Sequence, residues 1–231
     1  MAKSDMIKVM RLLQFTDSQF PVGTFSFSNG LETASFEKIV TNAETLEAFA
    51  RSQSHQAAFS DGVAAIHAYR SYKAGDFDKC KKIDKYLYAF KMNDEARLMA
   101  TRMGKKLAEL GVKLYSDQFI KEWLEEINKG IIPGMYPVVQ GMMFALAGVS
   151  EEDLFCSHQY GVINMVLGAA LRCVKVSHYD TQQILENLSD DIENLYKKAS
   201  EMDLKDMNAF YPELDILASL HEKGKMRMFM N

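Results

Sequence analysis

Between Phe20 and Gly30 the chain reads FPVGTFSFSNG, and there apolar and polar residues alternate as they would in a β-strand. Outside this stretch no alternation lasts more than four residues. An isolated strand would leave its backbone N–H and C=O groups without partners. The stretch must therefore lie extended over a helical body, closing at the Asn29-Gly30 turn. The expected fold is all-α, one domain over residues 1–231, with about ten helices.

Helical periodicity and capping residues carry the rest of the chain. Ser4 or Asp5 can cap a first helix with Met6, Val9, Met10 and Leu13 on one face. Thr41 and Glu44 read as a capping box ahead of Leu46, Phe49, Ala50 and Ala57. Asp61 to Tyr72 is apolar on most faces and should be central, with Gly75 as its stop. Asp76 can cap a helix that turns Phe77, Cys80, Leu87 and Tyr88 inward. A helix from Asn93 carries Met99, Met103 and Leu107 and is expected to stop at Gly111. Ser116 is the expected cap of the next helix, which ends at Gly130. Two apolar helices follow, near 138–148 and 151–174, and Thr181 opens one long helix that includes Leu195 and Tyr196.

The charge balance is 27 Lys+Arg against 31 Asp+Glu, and no basic stripe with interleaved aromatics occurs, so nucleic acid is not an expected partner. The apolar-rich runs Val138 to Val149 and Val162 to Leu171 are interrupted, and they fall short of the roughly 20 residues that span a bilayer. No membrane association is expected, and the N-terminus does not read as a signal peptide. Cys80, Cys156 and Cys173 are odd in number and form no CxxC pair, which fits a reducing cytoplasm. The 15 methionines mostly occupy periodic apolar positions, where they fill a core; methionine also adapts well to contact surfaces.

Motifs of catalysis are missing from the sequence. There is no GxxxxGK[ST], no GxGxxG after a strand, no GxSxG and no HExxH. Ser26 and Ser28 have no assignable base. Cys156 and His158 are the one close Cys/His pair, but residues two apart on a helix point in different directions and chelate poorly. A stand-alone helical enzyme or metal-binding protein using this pair is the alternative reading. No cofactor is expected. The C-terminus is unusual, because Met226, Met228, Phe229 and Met230 are apolar around Lys225 and Arg227. Such a tail either folds back into its own groove or docks into a partner.

Four blocks in order carry a family resemblance. LLQFTDSQFPVGTFSFSNGLE (Leu12 to Glu32) resembles the N-terminal signature of the urease accessory protein UreF family. EARLMATRMGKKL (Glu95 to Leu107), YPVVQG (Tyr136 to Gly141) and PELDILASLHEKGKMRMF (Pro212 to Phe229) resemble its later blocks. Phe25 stands where relatives often have Tyr, and Arg227-Met228-Phe229 where Arg-Leu-Phe is common. The resemblance implies an all-α fold, often a homodimer, with no reaction of its own. It implies a scaffold in nickel insertion into apo-urease, bridging a UreD/UreH-type accessory subunit and a UreG-type GTPase. Its implied partner-contact residues here are Phe25, Phe27, Glu32, Arg227 and Phe229. Phe25 and Phe27 fit a docking surface or a core equally well, whereas Arg227 and Phe229 match the family's C-terminal contacts.

Overall fold

A computed structural model describes residues 4–23, 26–208, 211–221 and 228–229. Among these residues the regular structure is helical, as the periodicity requires. The helices are α1 (Asp5–Thr16), α2 (Leu31–Phe36), α3 (Ala43–Ala57), α4 (Val63–Lys73), α5 (Phe77–Phe90), α6 (Asp94–Leu114), α7 (Gln118–Asn128), α8 (Tyr136–Ala147), α9 (Glu151–Cys173), α10 (His178–Ser189), α11 (Ile192–Glu201) and α12 (Pro212–His221). A π-helical turn, Ala58–Gly62, joins α3 to α4 without a break.

Two apolar clusters organise these helices. The first has α8 at its centre, wrapped by α4, α5, α6 and α7, with Trp123, Phe144, Met142 and Met143 fully buried. The second gathers α2, α3, α10 and α12 around the C-terminal half of α9. Helix α9 belongs to both: Leu154 and Phe155 face the first cluster, and Ile163, Val166, Leu167 and Ala170 the second. At 23 residues α9 is long and apolar enough to cross a membrane, which the interrupted sequence runs had not indicated. Leu154, Phe155, Ile163, Val166, Leu167, Ala169 and Ala170 of this helix are buried in the two clusters.

Close backbone approach holds the first cluster together. A Cβ on Gly104 of α6 would overlap the carbonyl oxygen of Gly134, and one on Gly141 of α8 would overlap the carbonyl oxygen of Ala65 on α4. Only hydrogen fits at either place. Asp84, buried on α5, supports the same junction by accepting from the N–H groups of Gly134 (2.8 Å) and Met135 (2.6 Å). Burial pushes its carboxyl up to about 6, while those two hydrogen bonds act against the rise.

Several local expectations are corrected. The first cap of α3 is Asn42 with Thr45, not Thr41 with Glu44. Helix α7 is capped by Asp117 rather than Ser116. Gly111 does not stop α6; it is buried, and a Cβ there would crowd Met143 Sδ at 2.6 Å. Ser177, not Thr181, caps α10, and the expected long helix breaks at Asp190 and Asp191. Tyr88 is exposed. The stripe of α1 faces solvent, with Met6, Val9, Met10 and Leu13 at 79%, 52%, 66% and 59% exposure. The helix is held through its other side, where Phe15 packs on Phe20 and Phe144 and Arg11 donates to the carbonyl of Ala147.

Gly104→Ala and Gly141→Ala should each lower stability by about 1–3 kcal/mol, because the clash is with backbone that cannot move aside. Gly161→Ala on α9, where a Cβ meets open space, should instead stabilise by about 0.5–1 kcal/mol through reduced chain entropy. Urea denaturation of the three variants measures both effects.

Candidate functional site

The Asn29-Gly30 turn ends in a left-handed residue, Gly30, with φ of 78°. This conformation suits glycine, and here a Cβ would also lie 3.1 Å from the backbone nitrogen of Ala218 on α12. The chain then enters α2, and Glu32 falls in its first turn, where helix N–H groups favour an acid. α12 packs directly across α2 and α6. Its last residue, His221, is thereby brought between two carboxylates.

His221 Nε2 lies 2.9 Å from Glu32 Oε2, and Nδ1 lies 2.9 Å from Glu95 Oε2. The His221 side chain is buried, as is that of Glu95, and Glu32 is mostly covered. A ring that faces a carboxylate oxygen on each nitrogen needs a proton in each of the two contacts. Glu32 also accepts from the backbone N–H groups of Met228 (2.7 Å) and Phe229 (3.1 Å). One carboxylate thus joins α2, α12 and the C-terminal segment. Burial tends to raise the Glu32 pKa, but the bonds from His221, Met228 and Phe229 outweigh it and hold the carboxyl below its ordinary value of 4.5.

Phe229 is 5% exposed and belongs to the second cluster. The Arg172 guanidinium lies over its ring, 3.9 Å from the centroid, a cation–π contact at the end of α9. Next to it the Ser35 hydroxyl donates to the carbonyl of Cys173, tying α2 to the same end. Met228 points outward.

Of the five residues the sequence singles out, Glu32 and Phe229 come together here. Phe27 is buried in the first cluster, so of its two readings its ring takes the core position. Phe25 and Arg227 lie outside the described residues. Glu95, Arg172 and His221 complete the junction, and the sequence reading did not single them out as a site. Their signal was present, because Glu95 opens the second resemblance block and His221 lies in the last. Cys156 and His158 do not form a joint site: α9 turns Cys156 outward and His158 inward, where Nδ1 meets Gln140 Oε1 at 2.8 Å. No group of three or more His, Cys, Asp and Glu with metal-holding geometry occurs among the described residues.

Glu32→Gln should lower stability at pH 7 by about 1–3 kcal/mol, the usual worth of hydrogen bonds to a charged acceptor. Because the folded pKa of Glu32 is depressed, its contribution is fully present above about pH 4.5 and is lost as pH falls through the folded value below that. Denaturation between pH 3 and 7 should show a shallower acid slope in the variant than in the parent chain.

The UreF family profile matches residues 40–189. The chain is 44% identical over 223 residues to urease accessory protein UreF 2 of Brucella canis, covering 96% of this chain and 92% of that protein. Urease accessory protein UreF 1 of Brucella melitensis is equally similar, at 44% over the same length. Urease accessory protein UreF of Yersinia pseudotuberculosis is 42% identical over 231 residues, all of both chains. With this identity over nearly its full length, and with three of the resemblance blocks meeting at one junction, the chain belongs to the UreF family of urease accessory proteins.

Proposed function

We propose that this protein is a non-catalytic docking scaffold for nickel insertion into apo-urease, bridging a UreD/UreH-type accessory subunit and a UreG-type GTPase. A role in urease maturation follows from the family; the partners are our reading. The observation that carries it is the outward stripe of α1. Burying a Met, Val or Leu side chain is worth about 1.5–3 kcal/mol relative to leaving it in water. Four such residues in a row on one helix, with Ile7 beside them, therefore form a surface that a partner would stabilise by covering. Met6 and Met10 also suit an adaptable contact, which the core-filling use of methionine elsewhere in the chain does not provide.

The tail adds a second contact region. Glu32 and Phe229 hold the C-terminal segment against α2 and α9, leaving Met228 outward. In this reading Phe27 supports the loop from the core, while Phe25 and Arg227 supply side chains for a partner. We further infer a single folding unit over residues 1–231, a homodimer, and a cytoplasmic setting without nucleic acid or membrane. The scaffold has no reaction of its own.

Co-expression with both accessory subunits from one source, followed by pull-down, tests the reading. The full chain should co-purify with both. Met10→Asp combined with Leu13→Asp should reduce recovery about tenfold or more, the loss of roughly 1.4 kcal/mol or more, with helical circular dichroism unchanged. Arg227→Ala should weaken recovery as well. Failure of the full chain to co-purify, or undiminished recovery of the α1 double variant, would contradict the proposal.

A further inference from the structure

An open cleft of about 690 Å³ lies between the end of α5, the first half of α6 and the turn at 130–133. Its apolar lining is Leu98, Ile132, Pro133 and the ring of Tyr88. Leu98 and Tyr88 are exposed, and so is Ile131 in the same turn. Single exposed apolar residues are ordinary on a surface, whereas three around one concavity form a patch. The face of Tyr88 is already taken, because the Arg97 guanidinium lies over its ring, 5.5 Å from the centroid.

The charges around this cleft do not balance. Arg97 is engaged: it pairs with Asp94 at 3.0 Å and donates to the carbonyl of Lys91 at 2.7 Å. Glu95 is buried and faces His221. One helical turn beyond Leu98 and Thr101 come Arg102 and Lys105, on the same face of α6. Both are exposed, and neither has an ion-pair partner among the described residues. Lys106 beside them is paired with Glu109 at 3.2 Å. Arg102 and Lys105 stand about 6 Å and about 10.5 Å along the helix axis from Leu98. An extended chain advances about 3.3 Å per residue. A segment that seats an apolar side chain against Leu98 and Ile132 therefore reaches the two cations with its second and third residues beyond.

We propose that this cleft docks an acidic segment of another protein, with an apolar anchor two residues from a pair of Asp or Glu. The anchor fills the cleft, and the two carboxylates pair with Arg102 and Lys105. A second copy of this chain does not supply such a segment. Read in either direction, the apolar anchors at this spacing from its acidic pairs are Trp123, Val149, Leu154, Phe155 and Leu188, all buried, and Met92, whose pair includes the buried Glu95. Single-stranded nucleic acid fits less well, because it stacks on open aromatic faces and that of Tyr88 is covered. The cleft is apart from α1 and the tail, and the inference does not depend on the scaffold reading.

The test uses the full chain with ¹³C-labelled Leu and Ile methyls and titrates the peptide SSFSDDSS at pH 7. The Leu98, Ile131 and Ile132 signals should move saturably. Replacing the peptide's Phe by Ser should weaken binding about tenfold, and replacing both Asp by Asn about fivefold. Raising NaCl from about 50 to about 500 mM should weaken the Asp peptide several-fold and leave the Asn peptide nearly unchanged. Arg102→Glu combined with Lys105→Glu should abolish the response while the core methyl signals stay in place, since both side chains are exposed. No saturable movement, equal binding of either altered peptide, or full binding by the double variant would overturn the proposal. So would equal movement with a thymidine tetranucleotide or with phosphatidylglycerol vesicles, which would make the two cations a general anion surface.

Discussion

Glu32 is the polar link between α2, α12 and the 228–229 segment. Its carboxylate accepts from His221 of α12 and from two backbone N–H groups of the tail, and His221 passes the link on to Glu95 of α6. Without Glu32, His221 would keep only Glu95, and the partly buried N–H of Phe229 would lose its acceptor. Groups left unpaired in this way cost more than the net gain of the original bonds. α12 also closes the second cluster through Leu214 and Leu217, and Phe229 caps it under Arg172. A single acid therefore contributes both to the packing of α12 and to the seating of Met228 and Phe229.

The first cluster places one member of that junction, Glu95 of α6. Gly104 and Gly141 let α6 meet the 134–136 segment and α8 meet α4 at backbone contact. Such approach leaves no room for sliding, and close-packed interiors transmit displacement rather than absorb it. α6 carries Glu95 at one end and the Gly104 contact further along, so the position of the acid follows from the glycine. α9 links the two clusters and delivers Arg172 to the tail. The two glycines fall within the second and third resemblance blocks, and their role there is steric.

The helical architecture was readable in the sequence because amphipathic periodicity and capping side chains are local. What remained obscure was decided by tertiary contact. Adjacent residues such as Thr41 and Asn42, or Ser116 and Asp117, are both competent caps, and the direction of the incoming chain selects one. Gly111 looks the same whether it ends a helix or admits Met143 against it. The stripe on α1 is visible as a stripe, but periodicity does not say which molecule covers it, and the helix turns it to solvent. Glu95 and His221 are polar residues 126 positions apart, and no pattern pairs them. Phe229 was legible as an odd apolar end, while its seat under Arg172 was not.

Docking of partners, rather than catalysis, is the proposed way in which this protein serves urease maturation. The direct measurement is urease activity in cells that carry the urease and accessory genes of one source but lack their own UreF-family member. Supplying this chain should restore activity, and the α1 double variant, present at equal level, should not. Failure of the parent chain to restore activity in cells of its own source, or full restoration by the double variant, would contradict the account.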